Sequence, residues 1–263
     1  MTEISPESLR LPIFLGLLLS LMLFEAIFPK KQRALTRQSR WPTNILISVT
    51  NTIFIKIMSP VVAVIAAGHA AQKGYGLFNF IELNIWLEII IAIILLDMAI
   101  YFQHVISHKI PILWRLHRVH HSDRDIDVTT AIRFHPIEII FSMLFKCALV
   151  FILGPAVLAV IIFEITLNGC AMFNHANLRL PSWADHILRI FIVTPDMHRV
   201  HHSIIPDETN SNYGFSLSIW DKVFGTYTAQ PSEGHDAMTI GLKDYQTDQP
   251  TRLEWSLILP FKP

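Results

Sequence analysis

Six residues, His117-Arg118-Val119-His120-His121-Ser122, recur letter for letter 81 positions later as His198-Arg199-Val200-His201-His202-Ser203. A third group, His104 and His108, precedes the first copy. Residues three and four apart share one face of a helix, with Cβ atoms about 5–6 Å apart. His104 and His108 therefore pair across one turn, and each repeat presents a three-pronged imidazole face. Neutral imidazole is the commonest protein ligand for metals and suits iron, zinc, copper and nickel. A structural zinc takes four ligands, so eight box histidines exceed what one such ion uses. The economical arrangement is a binuclear, histidine-rich metal site. Polar positions on exposed amphipathic helices would not account for the repeat.

The elements that must position these side chains are apolar. The 263 residues are 52% hydrophobic with zero formal net charge, and the mean hydropathy is +0.43. The apolar residues fall in long runs, which marks a membrane protein. Zero net charge argues against a nucleic-acid partner. Cys147 and Cys170 both lie in apolar runs and build neither a disulfide framework nor a cysteine zinc site. Runs at Leu11–Phe28, Ile45–Gly68 (with Pro60 as a kink) and Ile81–Phe102 read as membrane helices. Ile137–Leu167 is broken at Gly154-Pro155; its halves read as a hairpin that dips in and returns, or as two tilted spans. The dense basic stretch Lys30–Arg40 reads as a cytoplasmic loop, and the charged stretch Ser122–Arg133 reads likewise. Residues 1–10 and 69–80 then face outward.

The third run ends directly in His104 and His108. Pro111 opens a new helix, Pro111–His121, and Thr194-Pro195-Asp196 supplies a capping hydroxyl, a first-turn proline and an acid at the positive dipole end for the third cluster. The fold class is all-α, with about four to five membrane segments, including the hairpin, and a cytoplasmic histidine-rich cap. Residues 1–103 form N-terminal membrane helices; residues 104–263 carry the histidine boxes, the 137–167 hairpin and the cap. All three clusters land on one membrane face.

Other residues divide between sharper and plainer roles. His135 is a ligand, a substrate-site residue or structural. Asp97, two turns before His104 inside an apolar run, either bonds to a ligand histidine or pairs with another helix. Arg118 and Arg199 read as solvated, and Asn212-Tyr213-Gly214 with Trp220-Asp221 as turn and packing residues. His69, His186 and His235 fit no pattern. The carboxylate di-iron word Glu-X-X-His is absent.

The spacing His-X3-His, eight residues, His-X2-His-His and a distant His-X2-His-His resembles the fatty acid hydroxylase/sterol desaturase superfamily of membrane di-iron enzymes. Arg133-Phe134-His135-Pro136, Asn174-His175-Ala176-Asn177, Asn212-Tyr213-Gly214, Trp220-Asp221 and Phe224-Gly225-Thr226 extend the resemblance over roughly residues 97–228. It implies that His104, His108, His117, His120, His121, His198, His201 and His202 bind two iron ions, with His175 as a ninth ligand. It further implies oxygen-dependent hydroxylation or desaturation of a lipid, sterol-like or fatty acyl. Molecular oxygen is then the co-substrate. The setting is the cytoplasmic face of a bacterial inner membrane or of the endoplasmic reticulum. Electrons come from a separate protein of the ferredoxin or cytochrome b5 type, because the chain carries no dinucleotide fingerprint and no His-Pro-Gly-Gly word. The alternatives are a membrane haem protein for electron transfer, which needs only two axial ligands, and a metal transporter, which would place its ionisable residues along a midplane path.

Overall fold

The computed structural model describes residues 9–57 and 62–262. Pro60 and residues 1–8 lie outside the described residues, so the expected kink and the placement of the first residues fall there too. Helices α1 (Arg10–Ile27), α2 (Arg37–Ile57), α3 (Ala63–Lys73), α4 (Ile85–Lys109), α5 (Pro111–His121), α6 (Pro136–Leu153) and α7 (Val157–His175) form the larger part, and no strand occurs among the described residues. Of these, α1, α4, α6 and α7 are long and apolar enough to cross a membrane.

Helix α4 begins at Asn84, whose Oδ1 accepts from the Trp86 amide at 3.0 Å, and ends where Ile110 turns extended before Pro111. Its 25 residues span about 37 Å at 1.5 Å per residue. That exceeds the ~30 Å hydrocarbon thickness. The helix is thus long enough to cross a bilayer with turns to spare, and His104 and His108 lie in its last turns. Helix α5 occupies Pro111–His121, as the proline predicts.

The apolar run Ile137–Leu167 becomes two helices of 18 and 19 residues, longer than its halves suggest. Helix α6 starts at Pro136, and α7 continues through Asn168 and Asn174 to His175. They turn at Gly154, which has φ +61° and sits against Gly76 at φ +93°. A Cβ on either glycine would overlap the backbone of the other segment. This contact ties the α6–α7 turn to the loop after α3, at the end opposite the histidines. Alanines 63, 66, 67 and 70 let α3 lie close against α6 and α7, where Cys147 is a packing residue. Cys170, in α7, is half-buried and unpaired. Leu96, Ile100 and Phe163 join α4 to α7.

Two expectations need correction, and a third stretch is more buried than its charges suggest. The run Ile45–Gly68 is not one helix: α2 starts eight residues earlier, at Arg37, and α3 is a separate helix. The stretch Lys30–Arg40 is not a solvated loop throughout, since Arg40 is buried in α2. Ser122–Arg133, read as cytoplasmic from its charges, is mostly buried, with Val128–Ile132 as a 3-10 turn. One arrangement explains the last two. The Arg40 guanidinium bonds Asp123 through Nε and Nη2 at 2.6 and 2.7 Å and Asp127 through Nη1 at 2.7 Å. Burial pushes the Asp123 carboxyl up, but Arg40 outweighs it and holds the group down to about 2. Asn44 donates to Asp123 and accepts from Arg133, which also donates to the Val119 carbonyl and Ser122 Oγ. Charges far apart in sequence neutralise each other here, so the segment folds inward.

The remaining helices, α8 (Ser182–Phe191), α9 (Pro195–His201), α10 (Pro206–Thr209), α11 (Ile219–Val223), α12 (Gly234–Ala237) and α13 (Leu253–Ile258), gather at the histidine end. Thr194 caps α9 as expected, its Oγ1 accepting from the Met197 amide at 3.3 Å. Arg199 is buried against Asp196, and Arg118 donates to the Leu259 and Lys262 carbonyls, so neither is the solvated residue its sequence position suggests.

Candidate metal centre

Four elements deliver imidazoles to one place: the last turns of α4, the inward face of α5, the end of α7 and all of α9. The result is two adjacent groups. His104, His108, His117, His121 and His201 form one; His120, His175, His198 and His202 form the other. Within each group the donor atoms lie within 4.8 Å of one another. All nine are the histidines expected from the sequence, and only His108 is not fully buried.

Ring orientation follows from the outer partners. A backbone carbonyl can only accept, so the Nδ1–H groups of His104, His175 and His201 donate to Tyr213, Ala171 and Ser211 at 2.7, 2.6 and 2.7 Å. His117 Nδ1 likewise donates to Glu138 Oε1 at 2.6 Å. In all four rings the proton is on Nδ1 and the lone pair is on Nε2, pointing inward. His104 Nε2 and His117 Nε2 then stand 3.1 Å apart, lone pair facing lone pair. That pair cannot hydrogen-bond, but 3.1 Å is close to the ~3 Å between neighbouring nitrogens that each lie 2.0–2.1 Å from one ion.

Two further observations fit a metal. His121 and His202 are fully buried with both ring nitrogens unpartnered, and His201 Nε2 is unpartnered as well. Leaving such groups unmatched costs about 1–3 kcal/mol each. Burial, followed by the neighbouring imidazoles, holds His120, His121, His198 and His202 well below the usual histidine range. Burial lowers His201 to about 3. The rings are neutral at physiological pH, the form that binds a metal. An all-imidazole donor set without carboxylates suits iron, zinc, copper or nickel.

His135 stands apart from both groups. Its Nδ1 accepts from the Ile137 amide at the start of α6, and its Nε2 contacts the Leu257 carbonyl at 3.2 Å. Asp97 bonds to no histidine; its Oδ2 accepts from Trp220 Nε1 at 2.8 Å and the Leu217 amide at 3.2 Å. The plainer role, pairing with another part of the chain, is what the structure shows. His186 lies exposed on α8, and His235 sits over Arg199 and Asp196 without joining either group. His69 packs edge-on to Phe151 at the opposite end.

Sequence reasoning missed the outer partners. Asn212-Tyr213-Gly214 is more than a turn: it presents the carbonyl that orients His104. Asp221 holds that turn by accepting from the Tyr213 and Gly214 amides, at 2.7 and 2.8 Å. Asn212 sits at φ +50°, a conformation that asparagine tolerates better than most residues. Glu138 was also missed; a carboxylate in the first turn of an apolar helix was its signal. Replacing Glu138 with glutamine removes the charge that holds the His117 proton. Metal affinity of the five-histidine group should fall roughly 10–100-fold while the four-histidine group is unaffected. Competition titration with a chromogenic chelator would reveal it, and unchanged affinities in both groups would exclude the role.

Beside His104 and His117 opens a cavity of about 420 Å³, lined by α1, α2, α4, α6 and α7. A smaller one, about 250 Å³, reaches His108 from the side of Trp114, Pro206 and Lys243. Phe134 stacks on His120 with ring centres 4.4 Å apart and planes 6° from parallel, closing the larger cavity's upper wall.

The sequence model of the fatty acid hydroxylase family matches residues 89–226, a segment holding all nine grouped histidines. Alkylglycerol monooxygenase from Xenopus tropicalis is 33% identical over 58% of this chain and 33% of its own length. Ornithine lipid hydroxylase OlsE from Rhizobium tropici is 28% identical over 55% of this chain and 43% of its own. Human cholesterol 25-hydroxylase is 28% identical over 53% and 50%. The match thus spans a third to a half of these relatives' lengths. No solved structure matches the chain.

Proposed function

This chain belongs to the fatty acid hydroxylase family, and we propose that it is a membrane-bound di-iron oxygenase that hydroxylates a lipid. One observation carries the reading. The inward-facing Nε2 atoms of His104 and His117, 3.1 Å apart, line the end of a cavity enclosed by membrane-length helices. His104, His108, His117, His121 and His201 would hold one iron, and His120, His175, His198 and His202 the second. When bound, the two irons supply oxygen activation and the redox change that zinc lacks. Hydroxylation is favoured over desaturation because the relatives are named as hydroxylases and monooxygenases.

The chain's own side chains do the positioning. Ile100, Ile132, Ile139, Leu167 and Phe215 give the cavity an apolar wall that admits and positions an alkyl segment. Glu138 keeps the proton on His117 Nδ1, and the carbonyls of residues 213 and 211 do so for His104 and His201. Electrons come from a separate ferredoxin or cytochrome b5-type protein. The histidine groups face the cytoplasm, following the basic stretch Lys30–Arg40.

Protein purified without oxygen should carry two metals per chain, iron when expressed at low level. On reduction and exposure to labelled oxygen it should place one labelled oxygen atom in a lipid. One metal or none in fully active protein would defeat the binuclear reading, and a Soret band would point to haem instead. For topology, cysteines at Lys73 and Asp236 should label from opposite sides of the membrane; labelling from one side would overturn the assignment.

A further inference from the structure

The larger cavity has one charge at each end. At the metal end is Glu138, with Oε1 on His117 and Oε2 buried without a partner. At the inner end is Lys146, two turns further along α6. Among the described residues it is the one lysine or arginine lining the cavity. Eight residues of helix separate the two, about 12 Å at 1.5 Å per residue.

Lys146 does not merely neutralise an acid. Its Nζ lies 3.3 Å from Glu164 Oε1, but Arg10 is already bonded to Glu164 Oε2 at 2.5 Å. Two cations share one carboxylate, and the described cluster carries one positive charge in excess. The Lys146 and Glu164 side chains are 14% and 3% exposed. An ionised group within a membrane-length helix is costly, and such groups cluster where a polar ligand is handled. Charge interactions there are strengthened because little water is present to screen them. Ser142 and Asn168 line the cavity near Lys146 and add hydrogen-bonding capacity.

We propose that the inner end of this cavity is a subsite for the carboxylate of an acidic lipid, with Lys146 as its anchor. The inference rests on the lipid-hydroxylase reading and names its substrate class. A single negative charge balances the excess at Lys146. An acid held at Lys146 lies two helical turns along α6 from Glu138 and His117, so the molecule enters with its acid away from the metals. The alkyl chain then runs back along Ile139, Ile100 and Phe134 toward His104 and His117. Lys146 stands two helical turns from Glu138, so the carbon presented for oxidation is in mid-chain rather than beside the carboxyl. A phosphate bearing two charges would leave the site with excess negative charge and is not favoured.

The test is a binding measurement, independent of turnover. The metal-loaded 263-residue chain in zwitterionic nanodiscs is titrated with palmitate and with its methyl ester, and empty discs are subtracted. Wild type should bind the acid at least ~10-fold more tightly than the ester. Lys146→Met should abolish that preference and leave ester binding unchanged. Glu164→Gln, which adds a net positive charge, should increase the preference. The opposite signs guard against a general folding defect. Equal affinities for acid and ester in wild type, or a preference that survives Lys146→Met, would overturn the subsite. Acid-selective binding without any lipid oxidation would leave the subsite standing and defeat the hydroxylase reading instead.

Discussion

Alanine at His201 is expected to give a protein that inserts normally, holds one metal per chain instead of two and forms no oxidised lipid above background. His201 is the hub of its group: its ring centre lies 4.5, 4.7 and 4.7 Å from those of His104, His108 and His121. Its own Nδ1 is fixed by the Ser211 carbonyl, which aims Nε2 into the group. His120→Ala should empty the other group in the same way, because His120 Nε2 lies 3.0 Å from His175 Nε2. The control is His186→Ala, whose ring is exposed and bonded only to its own helix. Metal analysis of solubilised protein with product detection by mass spectrometry decides the matter. Two metals and full turnover in His201→Ala would remove His201 from the ligand set.

The second large effect is expected outside the ligand set. Arg40→Ala leaves Asp123 and Asp127 buried without their counter-ion. Removing one partner of a buried charge network costs about 3–5 kcal/mol. That is a large share of the ~5–15 kcal/mol that holds a typical domain. The variant should be recovered poorly, unfold well below the wild-type temperature and lose metal from both groups. Lysine should rescue only part, since an ammonium cannot bond Asp123 through two nitrogens while reaching Asp127. The double variant Arg40→Met with Asp123→Asn should recover more than Arg40→Ala, because it also removes a stranded charge. An Arg40→Ala protein within ~0.5 kcal/mol of wild type would show the network to be incidental.

The helices that carry the histidines were largely legible in the chain. Pro111 and the Thr194-Pro195 pair mark helix starts through local chemistry, and the repeated six-residue word marks the ligand faces. What was hidden has a common cause. The burial of Ser122–Arg133 is hidden because its neutralising partner, Arg40, lies some 80 residues away. The acceptors that orient His104 and His201 are backbone carbonyls, which leave no letter in the sequence. Asp97 looked like a histidine partner by helical periodicity, but the residues after Gly214 fold back and claim it first. His175 is a single histidine without a repeat, so only the resemblance singled it out.

Glu25 of α1 gives this architecture a practical boundary. One carboxylate oxygen, buried near the end of the first helix, accepts the amides of both Val128 and Asn177 at 3.1 Å. It thereby staples the chain leaving α5 to the chain leaving α7, one beside each metal group. Glu25, Arg40 and Asn44 all precede residue 89, where the family match begins. A fragment trimmed to that match would keep all nine histidines and lose the struts that set their spacing. In engineering terms, the transplantable part is not the motif-bearing half but the motif together with its first two helices. A graft of the boxes onto another scaffold would have to rebuild an acid and an arginine that no histidine pattern announces.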